Sequence, residues 1–349
     1  MAKNWVLTVL VVLFVLSTVA QAAEKQVVTD QLGFRVEVPV RAERVVVLMH
    51  HALDVMLQLG AEQQIAGVMA AWTKQIPDVV KAMPRLKNIP TPGDLQSVNM
   101  ESLIALKPDL VIVTHYAPKE MQDRIKSAGI PVIAVAMFKA DYEEASKLNP
   151  TLKDPEKSYS EGLQEGVRLI GQVTGRQKKA EELIEYMFRN RSMVTDRLGD
   201  IPPEKRVTCY MAYPQLYTMG TGKYAQVAMH RAGGRNVAEA LDGYRQVSME
   251  QVLKWDPEVI FVQDRYEPLV KEIKDGAAWQ PIRAVKNNKI YLCPPYVKPW
   301  GHSVPESVAL GEFWMAQKLY SDKFKDIDLP KMVDDFYRKF YGIPYDEYH

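Results

Sequence analysis

A sixteen-residue stretch of this chain occurs twice, and no other feature restricts its fold as much. Val98-Asn99-Met100-Glu101-Ser102-Leu103-Ile104-Ala105-Leu106-Lys107-Pro108-Asp109-Leu110-Val111-Ile112-Val113 reads against Val247-Ser248-Met249-Glu250-Gln251-Val252-Leu253-Lys254-Trp255-Asp256-Pro257-Glu258-Val259-Ile260-Phe261-Val262, at a constant offset of 149 residues. Each copy opens with a residue that can cap a helix (Asn99 or Ser248), followed by Met-Glu and an apolar helical turn. Each closes with a proline, an acid and a strand without a polar face. A helix–stop–strand unit used twice at one spacing predicts two related α/β halves.

The rest of the chain alternates in the same way. Strand-like runs fall at residues 44–49, 65–68, 109–113 and 130–135, with helical spacing at 52–59, 100–106 and 121–128. Gly60 and Gly129 stand where helix ends favour glycine. Short apolar strands separated by helices of this length predict a parallel sheet covered on both faces. The second half starts with a strand at 206–211. Between the halves lie helical patterns at 160–174 and 177–198, and a helix of about 20 residues spans about 30 Å. That is long enough to act as a stiff backbone between two lobes. Two further helices are expected near 306–320 and 330–341.

The first residues are a leader. Lys3 precedes an apolar run over 5–16, and Ala20-Gln21-Ala22 fits an A-x-A cleavage site. The run is short for a bilayer-spanning helix, which needs about 20 residues. Cleavage after Ala22 would leave Ala23 first, and no cysteine stands near that point to accept a lipid. The mature protein is therefore expected in the periplasm, not lipidated. Cys209 and Cys293 lie in apolar runs, where a buried thiol is the ordinary state. A formal net charge of +1 with no basic stretch interleaved with aromatics gives no reason to expect nucleic acid as a partner.

Taken in order, residues 44–47, Leu59-Gly60-Ala61, Ile65-Ala66-Gly67-Val68, the 100–113 segment, Gly129-Ile130-Pro131-Val132, Gly220-Thr221-Gly222 and Ala232-Gly233-Gly234-Arg235-Asn236-Val237-Ala238 resemble the binding proteins of ABC importers for ferric siderophores, haem and cobalamin. The likeness runs from about residue 28 to about residue 320, and 299–341 looks like the branch that takes iron or nickel chelates. It implies an α/β fold of two Rossmann-like lobes joined by a single long backbone helix, with the ligand cleft between them. In this numbering the lobes are 23–155 and 205–349, with a linker region at 156–204 after a signal peptide at 1–22. The resemblance further implies a monomer without an intrinsic cofactor, which carries a bound metal chelate to an ABC permease dimer and its ATPase. Permease docking falls on Glu101 and Glu250. Each also sits in the first turn of a helix, where an acid stabilises the helix end by itself.

In parallel α/β sheets, ligands lie beyond the carboxyl ends of the strands. That rule selects Met49, His50, His51, Trp72, His115 and Tyr116 in the first half. In the second half it selects Tyr213, Tyr217, Arg265 and Tyr266, and then Trp300 and His302 after the last strand. Aromatic walls suit catecholate rings or a tetrapyrrole, Arg suits an anionic chelate, and imidazole can complete a metal's coordination. His115 and His302 are the candidate metal ligands. His50 and His51 are adjacent, so on a continuing strand they would point to opposite faces. A ferric siderophore is the favoured ligand. A nickel or cobalt chelate, a corrinoid and haem are the alternatives. No H-E-x-x-H and no G-x-S-x-G occurs, so an enzyme is not expected; a two-lobed chelatase-like enzyme is the remaining catalytic reading.

Overall fold

The computed structural model describes residues 24–299 and 301–349; the expected leader and Trp300 lie outside the described residues. Strands β1 (Lys25–Thr29) and β2 (Arg35–Pro39) form an antiparallel hairpin. β3 (Val45–Leu48), β4 (Ile65–Val68), β5 (Leu110–Thr114) and β6 (Val132–Val135) make a parallel sheet in the order β4-β3-β5-β6. In the second half come β7 (Thr208–Ala212), β8 (Tyr217–Met219), β9 (Arg235–Asn236), β10 (Tyr244–Gln246), β11 (Val259–Val262) and β12 (Ile290–Leu292). Four of these make a parallel sheet in the order β12-β11-β7-β9, while β8 and β10 pair antiparallel. The helices that bear on the site are α1 (His50–Gln58), α2 (Met100–Ala105), α3 (Pro155–Val173), α4 (Gln177–Leu198), α5 (Met249–Trp255), α6 (Glu312–Leu319) and α7 (Leu329–Tyr341).

The sequence repeat is a structural repeat. With β4 matched to β9, β3 to β7, β5 to β11 and β6 to β12, the two sheets have one strand order. Asn99 and Ser248 accept hydrogen bonds from the Ser102 and Gln251 amides, which caps α2 and α5. Lys107 and Asp256, each just before the proline, turn the chain with φ of +47° and +44°. The acid after each proline then fastens the start of the neighbouring central strand. Asp109 accepts from the Glu43 and Arg44 amides at 2.7 and 3.0 Å, and Glu258 accepts from the Thr208 amide at 2.9 Å. The central strands β3, β5, β7 and β11 are buried along their whole length, as an interior parallel sheet requires.

The lobes are joined by the long helix α4, which begins and ends where its spacing predicted. Its first turns meet α3 and α7, with Lys339 bound to Glu182 at 2.8 Å and Tyr186 packed on Phe336 and Phe340. Its last turns meet the second lobe, with Arg197 bound to Asp326. Between them, Arg191 grips the fully buried Glu312 of α6 through two 2.8 Å bonds. Arg231 reaches the same carboxylate at 3.2 Å and Glu156 of α3 at 2.6 Å. A buried carboxylate is tolerable only because two guanidinium groups replace its water.

Some helix expectations shift. The one expected over 160–174 starts five residues earlier, at Pro155. The helix expected over 52–59 starts two residues earlier, at His50. The one expected over 306–320 begins as a wide turn, Ser307–Gly311, before α6. Both cysteines are buried and free.

The ion cluster generates a prediction. Glu312→Ala leaves the largely buried Arg191 without its carboxylate, while Arg231 keeps Glu156, and should destabilise the protein by about 3 kcal/mol in chemical denaturation; Glu312→Gln, which keeps the shape, should cost less. Equal losses for both variants would mean that packing, not charge, holds α6 to α4.

A buried imidazole cluster at the strand ends

β3 ends at Leu48, and α1 begins at His50 with Met49 as its cap residue. His50 and His51 are therefore first-turn helix residues, and the two-face rule for strands does not separate them. Their rings lie 4.0 Å apart. His115 follows β5, and its Nδ1 stands 2.6 Å from the Ala145 carbonyl oxygen. A carbonyl only accepts, so Nδ1 carries the proton and Nε2 presents a lone pair in the neutral ring. That Nε2 is buried, with no hydrogen-bond partner among the described residues. His302 arrives from the segment after β12. It stacks on Phe138 at 5.5 Å and meets the His51 and His115 rings edge-on at 5.5 and 5.2 Å. Tyr116 lies edge-on to His115 at 4.8 Å.

Close approach of α3 sets this wall. At Gly162 a Cβ would stand 2.1 Å from Phe138 backbone atoms, so only glycine lets the helix press the Phe138 turn inward. Gln31 holds the same turn by accepting from the Ala136 and Met137 amides.

The second lobe contributes tyrosines and a cation. Tyr213, at the end of β7, is buried and donates from its hydroxyl to the Pro299 carbonyl at 2.9 Å. Its ring meets Tyr244 and Tyr266 at 5.5 and 6.0 Å, and Tyr217 stacks on Tyr244 at 4.8 Å. Arg265 crosses to the first lobe, donating to the Gln75 carbonyl at 3.2 Å. Met49 and Trp72 lie within the hydrophobic core of the first lobe. The strand-end reading passes over Phe138 and Tyr244: Phe138 stands three residues past β6, where that rule could have reached it, whereas Tyr244 starts β10, outside the two main sheets.

A second group that sequence reasoning missed lies one turn along α1. Lys298, with its own φ at +40°, places its ammonium 2.7 Å from Asp54 and 2.8 Å from Glu306. The Tyr341 hydroxyl of α7 contacts Asp54 Oδ1 at 2.6 Å and also Glu306 Oε1, and accepts from Gln58 at 2.7 Å. All five side chains are buried. Burial first, and then the Glu306 charge, push the Asp54 carboxyl up to about 6. Burial acts on Glu306 too, but the Lys298 charge outweighs it and holds that carboxyl below its usual range.

Burial also keeps the imidazoles neutral. It lowers His50 to about 3, helped by the charges of Arg265 and Lys298, and lowers His115 to about 4 against the Ala145 bond. Burial, then the neighbouring imidazoles, holds His51 and His302 well below the ordinary histidine value. Four imidazoles thus pack together at the amino end of α1, within reach of the Arg265 charge, in a region of positive potential. Among the described residues, no group of three or more His, Cys, Asp or Glu side chains is placed to hold a metal ion.

Two pseudo-symmetric lobes on a helical backbone, with a polar site at the facing strand ends, define a two-lobed solute-binding protein. The family model of the periplasmic binding proteins matches residues 45–297, and the chain belongs to that family. The chain is 47% identical over 326 residues to the molybdate-binding protein MolA of Haemophilus influenzae, covering 93% of each. A solved structure of MolA bound to molybdate superposes with a TM-score of 0.85, covering 92% of this chain and 99% of that one. More distant relatives come from Bacillus subtilis. The substrate-binding lipoprotein YvrC is 26% identical (81% of this chain, 82% of YvrC), and the Fe(3+)-citrate-binding protein YfmC is 24% identical (78% and 79%). The protein is a periplasmic substrate-binding protein of an ABC importer; it carries a transported ligand and is not an enzyme.

The neutral imidazoles have a pH signature. A histidine whose folded pKa is depressed contributes stability that is present above its unfolded value, near 6.5, and is lost as pH falls toward the folded value. For His115 that window runs from about 6.5 down to about 4. The stability of the ligand-free protein relative to His115→Gln should fall by about 1.4 kcal/mol per pH unit across it. A pH-independent gap in denaturant titrations would show that the ring is protonated in the fold.

Proposed function

We propose that the captured ligand is a small tetrahedral oxyanion of the molybdate class, bound where His50, His51, His115 and His302 meet Arg265 and the amino end of α1. The observation that carries this reading is the relative bound to molybdate, matched at 47% identity over nearly the whole chain. The site's chemistry agrees with it. A compact anion needs N–H donors converging on a few ångströms; His50, His51 and His302, with ring centroids 4.0–5.5 Å from a neighbouring imidazole, can each turn one N–H to it, while His115, whose proton is held by Ala145, lines the wall. The ferric siderophore favoured from cleft composition draws support only from relatives near 24% identity.

Delivery follows the arrangement the family implies. Glu101 and Glu250 are exposed in the first turns of α2 and α5, at equivalent positions of the two lobes. We assign each to one subunit of the permease. We assign residues 1–22 as a leader that is cleaved, and the mature protein as a monomer.

Calorimetry and thermal shift with molybdate and tungstate should give saturable binding and a raised Tm. Ferric catecholate, nickel–histidine, cobalamin and haem should give neither. A response to an iron chelate alone would reverse the assignment. Removing the His302 ring should weaken oxyanion binding by about 1.5–3 kcal/mol, the range for a hydrogen bond to a charged group, and removing the His115 ring, whose proton Ala145 holds, should cost less.

Docking is tested separately. Glu101→Ala and Glu250→Ala should leave ligand affinity unchanged and impair uptake into proteoliposomes carrying the permease and ATPase, the double variant most. Normal uptake by the double variant would remove the docking role.

A further inference from the structure

The buried group behind the imidazoles fixes a proton by its geometry. The Tyr341 hydroxyl touches carboxyl oxygens of both Asp54 and Glu306, and it already accepts from the Gln58 amide. A phenol has one proton to give. It can donate to one carboxylate, so the other contact is satisfied only if that carboxyl carries a proton of its own. Lys298 supplies one positive charge against two carboxyl groups, which leaves the same single proton to complete neutrality. Glu306 Oε1 accepts from both Lys298 and Tyr341, the pattern of an ionised oxygen, so the proton belongs on Asp54 Oδ1, donating to Tyr341.

We propose that Asp54 is a positioning residue of the ligand site, which ties the binding of an anion to the uptake of one proton. This rests on the oxyanion reading. Asp54 lies on α1, one turn beyond His50 and His51, and Lys298 begins the segment that ends in His302. The cluster thus joins the two pieces of chain that hold three of the four imidazoles. With Asp54 neutral, the group is electrically balanced and both Tyr341 contacts are hydrogen bonds, Glu306 Oε2 alone being left without a partner among the described residues. With Asp54 ionised, a buried net negative charge stands beneath a site for anions, and two carboxylates compete for one phenol proton. The charged or titratable groups around Asp54 are Lys298 and Glu306 from the closing segment, Tyr337 and Tyr341 from α7, Tyr348 from the last turn, and His50 and His51 on its own helix. An anion in the site favours the neutral form of Asp54 and raises its pKa. Affinity is then greatest below the ligand-free value near 6 and falls as pH rises through the window above it.

The test uses the purified protein and molybdate. Calorimetric affinity should fall about tenfold between about pH 5.5 and pH 8, as a one-unit shift implies. In D54N, whose amide imitates the neutral acid, affinity should stay at the low-pH level throughout. Y341F removes the acceptor of the Asp54 proton, which disfavours the neutral acid, and should move the fall to lower pH. Infrared difference spectra of ligand-free wild type against D54N should show a protonated-carboxyl carbonyl band at low pH that disappears as pH rises. A D54N slope equal to that of wild type, or no such band, overturns the inference. Wild type that binds no molybdate at any pH, with the band present, instead strikes the oxyanion reading and the coupling with it.

Discussion

An ammonium group sealed from water persists only beside a carboxylate, and that condition organises the site. Lys298 is buried between Asp54 and Glu306, and Tyr341 contacts one oxygen of each. Its partners come from its own segment after β12, from α7, and from α1, whose Asp54 is 244 residues away in the chain. Were any one displaced, a buried charge would be left uncompensated, at a cost of several kcal/mol. The position of α1, and with it His50 and His51, is therefore set by the carboxy-terminal helix as much as by the strand that precedes it.

The two lobes share a strand order but not a surface. His115 and Asp264 occupy equivalent places, one after β5 and the other after β11, at the same offset as the repeat. The first lobe presents imidazoles there and the second presents tyrosines with Arg265. The repeat gives two facing strand ends, and divergence gives them complementary chemistry. The helix α4, pinned at both ends and by the Arg191–Glu312 pair in its middle, limits lobe movement to small rigid-body adjustments.

Enclosure explains why the imidazoles resist protonation although a positive potential surrounds them. Desolvation penalises the charged ring, so each histidine waits as a neutral donor or acceptor. The positive potential comes from Arg265 and the helix end, which do not titrate in the physiological range.

The sequence alone determined the architecture. Apolar strands, helix caps, proline stops and the 149-residue repeat are local patterns, and local hydrogen bonding obeys them: Asn99 and Ser248 cap, Lys107 and Asp256 turn, and α4 runs over the residues its spacing marked. The sequence also placed His115 and His302 at strand ends, because that rule depends only on strand order. It could not show that the four imidazoles form one cluster, since His50 and His51 converge only because the strand stops at Leu48. Nor could it show that Asp54, Glu306 and Tyr341, apolar-helix neighbours in sequence, close around Lys298. Those contacts join residues with no local relation, and long-range packing and the cost of burying charge decided them.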